Sequence, residues 1–165
     1  MTNQAFPSLN DIEPSWADIT VKAVVGGGPL IDMAAIAALK WSRKVEVGTR
    51  YGASGGRPMA RTTGQVSYEA SGTLYRSGAR TLERGLMARA PSRGKQKRIS
   101  LVAFTIEIFH TPPGDRQIYQ TRLKGCRLLG DSDDMKEGVD PDKIEVTLHP
   151  IEIVKVIDGV EVALL

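Results

Sequence analysis

Gly52, Ser54 and Gly56 stand in the G-x-S-x-G spacing that presents a nucleophilic serine on a sharp turn between a strand and a helix in many hydrolases. The segment after Ser54, "GGRPMARTTG", contains Gly55, Gly56 and Pro58, which deny that serine the helix the turn requires. A triad would take its base from His110 or His149, each in or beside a β-type pattern with no diagnostic partner. The spacing therefore reads as a glycine-rich loop, and no catalytic residue is expected. Asp131 and Asp133 begin a calcium-loop pattern that fails at once, because Met135 stands at the next ligand position and Lys136 where glycine is needed. "GGGP" at residues 26–29 lacks the Lys-Ser/Thr of a phosphate loop and reads as a turn. Cys126, the only cysteine, excludes an internal disulfide and a Cys-rich zinc site, so neither metal nor other cofactor is expected.

The elements that would have to hold such residues are mostly strands. At 165 residues and 41% hydrophobic composition the chain fits one domain, expected over residues 16–165 behind an N-terminal arm at 1–15. The N-terminus lacks an export-type pattern and no apolar run approaches bilayer length, so membrane insertion is not expected. Residues 17–25 alternate apolar and β-branched positions with polar ones and stop at the glycines, which predicts a strand. In "LIDMAAIAALKWSRKVEVG" the second half alternates as a strand, whereas the alanines of residues 33–39 leave helix and strand both open. Val66, Tyr68, Ala70 and Gly72 share one face of a further strand, with Ser67, Glu69 and Ser71 on the other. A long basic loop at residues 48–63 separates the two.

Residues 77–90 are the clearest helix candidate, with Ser77 as cap, Leu82 and Leu86 on the packing stripe and Pro91 as stop. Gly78 and Gly85 each cost on the order of 1 kcal/mol relative to Ala, so this helix needs a surface to lie on. Residues 99–110, then "QIYQTRLKGCRLLG", then "DKIEVTLHPIEIVKVIDGVEVALL" predict further strands, with Pro150 marking a bend or an edge. The expected class is mainly β (α+β): an antiparallel sandwich or barrel-like sheet with one flanking helix. An open sheet leaves edges unpaired, and a ring of copies would remove them.

The ordered set of "LKWSRKVEVGTRYGASGGRPMARTTGQVSYEASGTLY", "RTLERGLMARA", "ISLVAFTIEIFH", "YQTRLKGCRLLGDSDDMKEGVD" and "DKIEVTLHPIEIV" resembles the bacteriophage tail-tube proteins, whose relatives include the tubes of pyocins and type VI secretion systems. The resemblance implies a non-enzymatic structural subunit of a virion tail, assembled in the host cytoplasm. Six copies would close their sheets into a ring, and rings would stack into a tube whose lumen passes the genome and a tape-measure protein. It implies baseplate and terminator partners, and a sheath if the tail contracts. The loop becomes an inter-ring stacking device of Arg50, Tyr51, Gly52, Ser54, Gly55, Gly56, Arg57, Pro58 and Arg61. Asp131, Asp133 and Asp134 are the counterpart that charge suggests, and Leu82 and Leu86 would pack the helix on the outer side of the barrel sheet. The overall charge of +3 is unlike the acidic lumen common in such tubes and leaves the lumen's polarity open. The alternative from another class is a β-rich nucleic-acid-binding module using the basic loops, Arg89, Arg93, Lys95, Lys97 and Arg98 among them.

Overall fold

A computed structural model describes residues 19–28, 30–53, 56–62, 64–110 and 118–164. The expected arm, Trp16, and Ser54 and Gly55 of the loop lie outside the described residues, as does the turn expected at 112–115. Strands β1 (Ile19–Val25), β2 (Leu30–Asp32), β3 (Ile36–Val45), β4 (Gly48–Tyr51), β5 (Pro58–Thr62) and β6 (Val66–Tyr75) precede the helix α1 (Arg76–Met87). After it come β7 (Ser92–Arg93), β8 (Gln96–Lys97), a 3-10 turn at Ile99–Leu101, β9 (Phe104–His110), β10 (Tyr119–Asp133), β11 (Lys143–His149), β12 (Glu152–Ile157) and β13 (Val160–Val162). All ladders are antiparallel, in the order β2-β1-β9-β10-β11-β6-β3, with β12 beside β10 and β13 beside β12. Among the described residues the sheet does not close on itself.

The 15-residue β10 organises the molecule. Its first half pairs with β9 and β12, its second half with β11, and the bend between them lies at Gly125, where φ is 63°. Glycine reaches that left-handed conformation without the Cβ penalty other residues incur. Opposite the bend, Pro150 cannot donate, and the Ile151 amide resumes the ladder by donating to Lys124 O at 2.9 Å. The two halves of the sheet thus turn their apolar faces to one core: Val21, Ala23, Ile106, Leu123 and Ile153 from one half, Ala70, Leu74, Val146 and Leu148 from the other. Cys126 is buried there, and the burial pushes its thiol pKa up to about 12. Arg43 crosses between the halves and donates to Val162 O at 3.1 Å.

Helix α1 brings Ala79, Leu82 and Leu86 onto this core and packs against β6, β11, β1 and β2. It starts after Tyr75 with no side-chain cap, so Ser77 does not have the capping role read from the sequence; its carbonyl instead accepts from Thr81 Oγ1 at 2.9 Å. Its two glycines have a packing reason. A Cβ on Gly78 would meet the Ala35 carbonyl at 2.6 Å, and one on Gly85 would overlap Ile31, so the helix lies closer to the β2–β3 segment than alanine would permit. The alanine-rich segment joins a strand from Ile36 onward, because pairing with β6 outweighs its helix propensity. Residues 99–101 form a 3-10 turn, and the strand expected from Ile99 begins at Phe104.

Candidate functional site

The G-x-S-x-G segment is the tip of a hairpin. In β4–β5, Gly48 pairs with Thr62, Thr49 with Arg61 and Arg50 with Ala60, and the Gly52 amide donates to Arg57 O at 3.1 Å across the tip. No helix follows, and Gly56 has a φ of 61°. The long basic loop expected at residues 48–63 is, in its described part, a two-stranded ribbon, Gly48–Tyr51 pairing with Pro58–Thr62. Every residue of both strands is exposed, with Tyr51 at 62% and Met59 at 76%. Arg50, Arg57 and Arg61 make no ion pair among the described residues. Among the described residues no group of His, Cys, Asp and Glu could hold a metal ion.

The acidic segment divides in two. Asp131 and Asp133 belong to β10 rather than to a loop, opposite Val146 and Ile144. Asp133 is held by Arg76 at the start of α1 through bonds of 2.8 and 3.0 Å, and Asp142 approaches the same guanidinium at 3.4 Å. The bond to Asp133 is the largest cause raising the Arg76 pKa above its ordinary value. This cluster fastens the base of the 134–142 loop to the helix. Beyond it Asp134 meets Lys136 at 3.0 Å, and a cleft lined by Asp134, Glu137, Asp140 and Glu145 opens to solvent. Glu137 and Asp140 are acids of this cleft that the spacing of Asp131 and Asp133 does not single out.

The strands β3, β6, β11 and the second half of β10 form one continuous four-stranded surface. Their apolar residues face the core and α1. On the opposite face Lys40, Ser42 and Lys44 align with Ser71, Glu69 and Ser67, and Thr147 continues the row from Ser71. Lys143, Glu145, His149 and Arg127 are exposed on that face as well. It is polar and of mixed charge. Two edges flank it: β3 has no partner beyond β6, and β10 from Arg127 to Asp133 has none on the side away from β11 among the described strands.

A second charged cluster ties the other half of the sheet. Glu161 on β13 accepts from Arg122 at 2.7 Å and from Lys124 at 2.6 Å, while Arg122 also reaches Glu107 on β9 at 3.5 Å. The bonds from Lys124 and then Arg122 hold the Glu161 carboxyl below its ordinary pKa. The partners lie 37 and 39 residues apart, so no local spacing announces them. No described helix is long and apolar enough to cross a membrane.

No protein-family model and no curated protein matches the sequence. Solved assemblies do contain chains of similar fold. A chain of the 6-fold symmetrised anti-feeding prophage baseplate aligns with a TM-score of 0.61 at 17% identity, covering 83% of this chain and 91% of that one. One in the extended sheath-tube complex of the PVC extracellular contractile injection system aligns at 0.59 and 10% identity, covering 88% and 92%. One in the cap that terminates the anti-feeding prophage tube aligns at 0.62 and 8% identity, covering 87% and 90%. The bent antiparallel sheet with its single covering helix is therefore a fold shared with chains of these contractile-injection assemblies.

Proposed function

We propose that this chain is a non-enzymatic structural subunit of a tail-like tube. One observation carries the reading: a four-stranded sheet covered on one face by core and helix, polar on the other, and unpaired at both edges. Unpaired edges invite another chain, and copies related by rotation satisfy all of them when the ring closes. In a hexamer the β3 edge of one copy meets the β10 edge of the next, and the polar face lines the lumen. Lys40, Lys44, Lys143 and Arg127 against Glu69 and Glu145 then give that lumen a mixed, slightly basic character. Rings stack through the β4–β5 hairpin, with Arg50, Arg57 and Arg61 directed at the acidic cleft of the adjacent ring. Because Asp133 already holds Arg76 and Asp134 meets Lys136, Glu137 and Asp140 are the better counterparts. Such a tube belongs in a virion tail assembled in the host cytoplasm, where it would conduct a genome past a tape-measure protein and meet sheath, baseplate and terminator proteins.

The test is negative-stain electron microscopy with sedimentation over a range of concentrations. Annular rings or hollow tubes are expected, and a chain without residues 52–58 should give rings that do not stack. A monodisperse monomer at every concentration overturns the proposal. The nucleic-acid alternative has a weaker footing, since Arg89 and Lys97 of its basic run donate to the carbonyls of Gly26 and Ala90.

A further inference from the structure

The net positive charge of the chain comes from one stretch. Residues 80–98 contain seven Lys and Arg against the single acid Glu83, whereas the rest of the chain has fifteen against eighteen. Arg80 and Arg84 lie one turn apart on the exposed face of α1, away from Leu82 and Leu86. The β7–β8 hairpin springs from the helix C-terminal end and adds Arg93 and Lys95, followed by Arg98. Arg98 N donates to Pro91 O at 3.0 Å and Lys97 Nζ to Ala90 O at 3.3 Å, so the hairpin is closed at its base, just after the helix. Arg80, Arg84, Arg93, Lys95 and Arg98 make no ion pair among the described residues.

Helix stability accounts for only part of this. Cations favour the last turn of a helix through its dipole, which explains Arg84 and Arg89 but neither Arg80 nor the hairpin. Arg98 shares a cleft with Asp131, but Arg80, Arg84, Arg93 and Lys95 gather with no ion-pair partner among the described residues, at a cost in self-repulsion that an acidic partner relieves. Two features choose the class of partner. Residues 76–103 contain no aromatic side chain, so single-stranded nucleic acid finds no stacking platform. Met87 and Leu101, each 48% exposed, place apolar surface within the basic stretch, and Arg with Met is a pairing enriched where proteins meet proteins.

We propose that the exposed face of α1 and the β7–β8 hairpin form a docking surface for a second polypeptide, one that presents a row of carboxylates beside an apolar residue, as an acidic amphipathic helix does. Helix α1 lies on the face of the sheet opposite the polar one, and Arg80, Arg84, Arg93, Lys95 and Met87 carry the inference whether or not the chain forms rings, since Arg98 and Leu101 share a cleft with the β10 edge at Leu128–Asp131.

The probes are a fluorescein-labelled helical peptide with a Glu-rich face and a Leu stripe, a proline-broken peptide of the same charge, and a short DNA duplex, followed by anisotropy with the full chain. The helical peptide should bind, weaken as salt rises, and bind roughly tenfold less well to the Arg80→Glu, Arg84→Glu variant, in keeping with the weight of close charge pairs at interfaces. That variant should bind a Lys-for-Glu version of the peptide instead, and circular dichroism should show its fold intact. Equal binding of the proline-broken peptide or of DNA overturns the proposal, as does no binding at all. Salt-sensitive self-association lost in the variant would assign the surface to a second copy and overturn it equally. Sedimentation of the same samples reports ring formation separately, so failure here is distinguishable from failure of the tube reading.

Discussion

The β3–β6 ladder and the β4–β5 ladder follow each other along one long hairpin, yet they are held by different forces. In the first, Leu39, Trp41 and Tyr68 pack against a core that includes Ala70 and Leu74, so each backbone pair is backed by apolar burial. In the second every side chain of both strands is exposed, and hydrogen bonds alone hold the register. A two-stranded ribbon without a buried face is marginal in water. The β4–β5 hairpin therefore contributes little to the fold of the single chain, and its exposed Tyr51, Met59 and three arginines are surface available to something else.

The largest effect expected on the buried side comes from Leu123→Ala. Leu123 is fully buried on β10, opposite Ile106 and Ile153, and its truncation should cost about 3 kcal/mol in urea unfolding. The junction between the ladders comes next. Gly64 lies where any Cβ would overlap the Glu46 carbonyl, so Gly64→Val should force the ladders apart at a cost of about 2 kcal/mol. An unchanged midpoint would show that the junction already hinges and that the two ladders are independent. On the exposed side, Tyr51→Ser with Met59→Ser should change stability by no more than about 0.5 kcal/mol while reducing ring stacking, read by microscopy. Amide exchange sharpens the same contrast, with β6 amides protected and β4–β5 amides exchanging far sooner. Loss of fold on removing the hairpin would break the comparison outright.

The smallest effect concerns Glu161. Its folded pKa is depressed, so its contribution to stability is present above the ordinary carboxylate pKa and lost as pH falls through the folded value. Glu161→Gln should therefore flatten the acid limb of the stability profile slightly and leave neutral stability nearly unchanged, because the cluster is exposed enough to be screened.

Much of this was legible one residue at a time. The alternation in β6 told which side chains face the core, since a strand repeats every two residues and only one face can be buried. The missing helix after Ser54 ruled out an elbow for the same local reason. The hairpin in residues 48–63 was hidden because its glycines and arginines have no apolar alternation, and its pairing is carried by the backbone. Asp133 read as part of a loop because its place in β10 depends on β11, and its partner Arg76 lies 57 residues away.

By itself the sequence determined the β-rich class, the single helix with Leu82 and Leu86 on its stripe, and the polar and apolar faces of the strands, because periodicity and turn chemistry act over a few residues. Tertiary structure alone decided that β10 bends at Gly125 to serve both halves of the sheet, that Gly78 and Gly85 are contact points, and which edges stay open. It also decided which acids are already paired, for this depends on what lies across a ladder or against a helix, and no spacing along the chain encodes it.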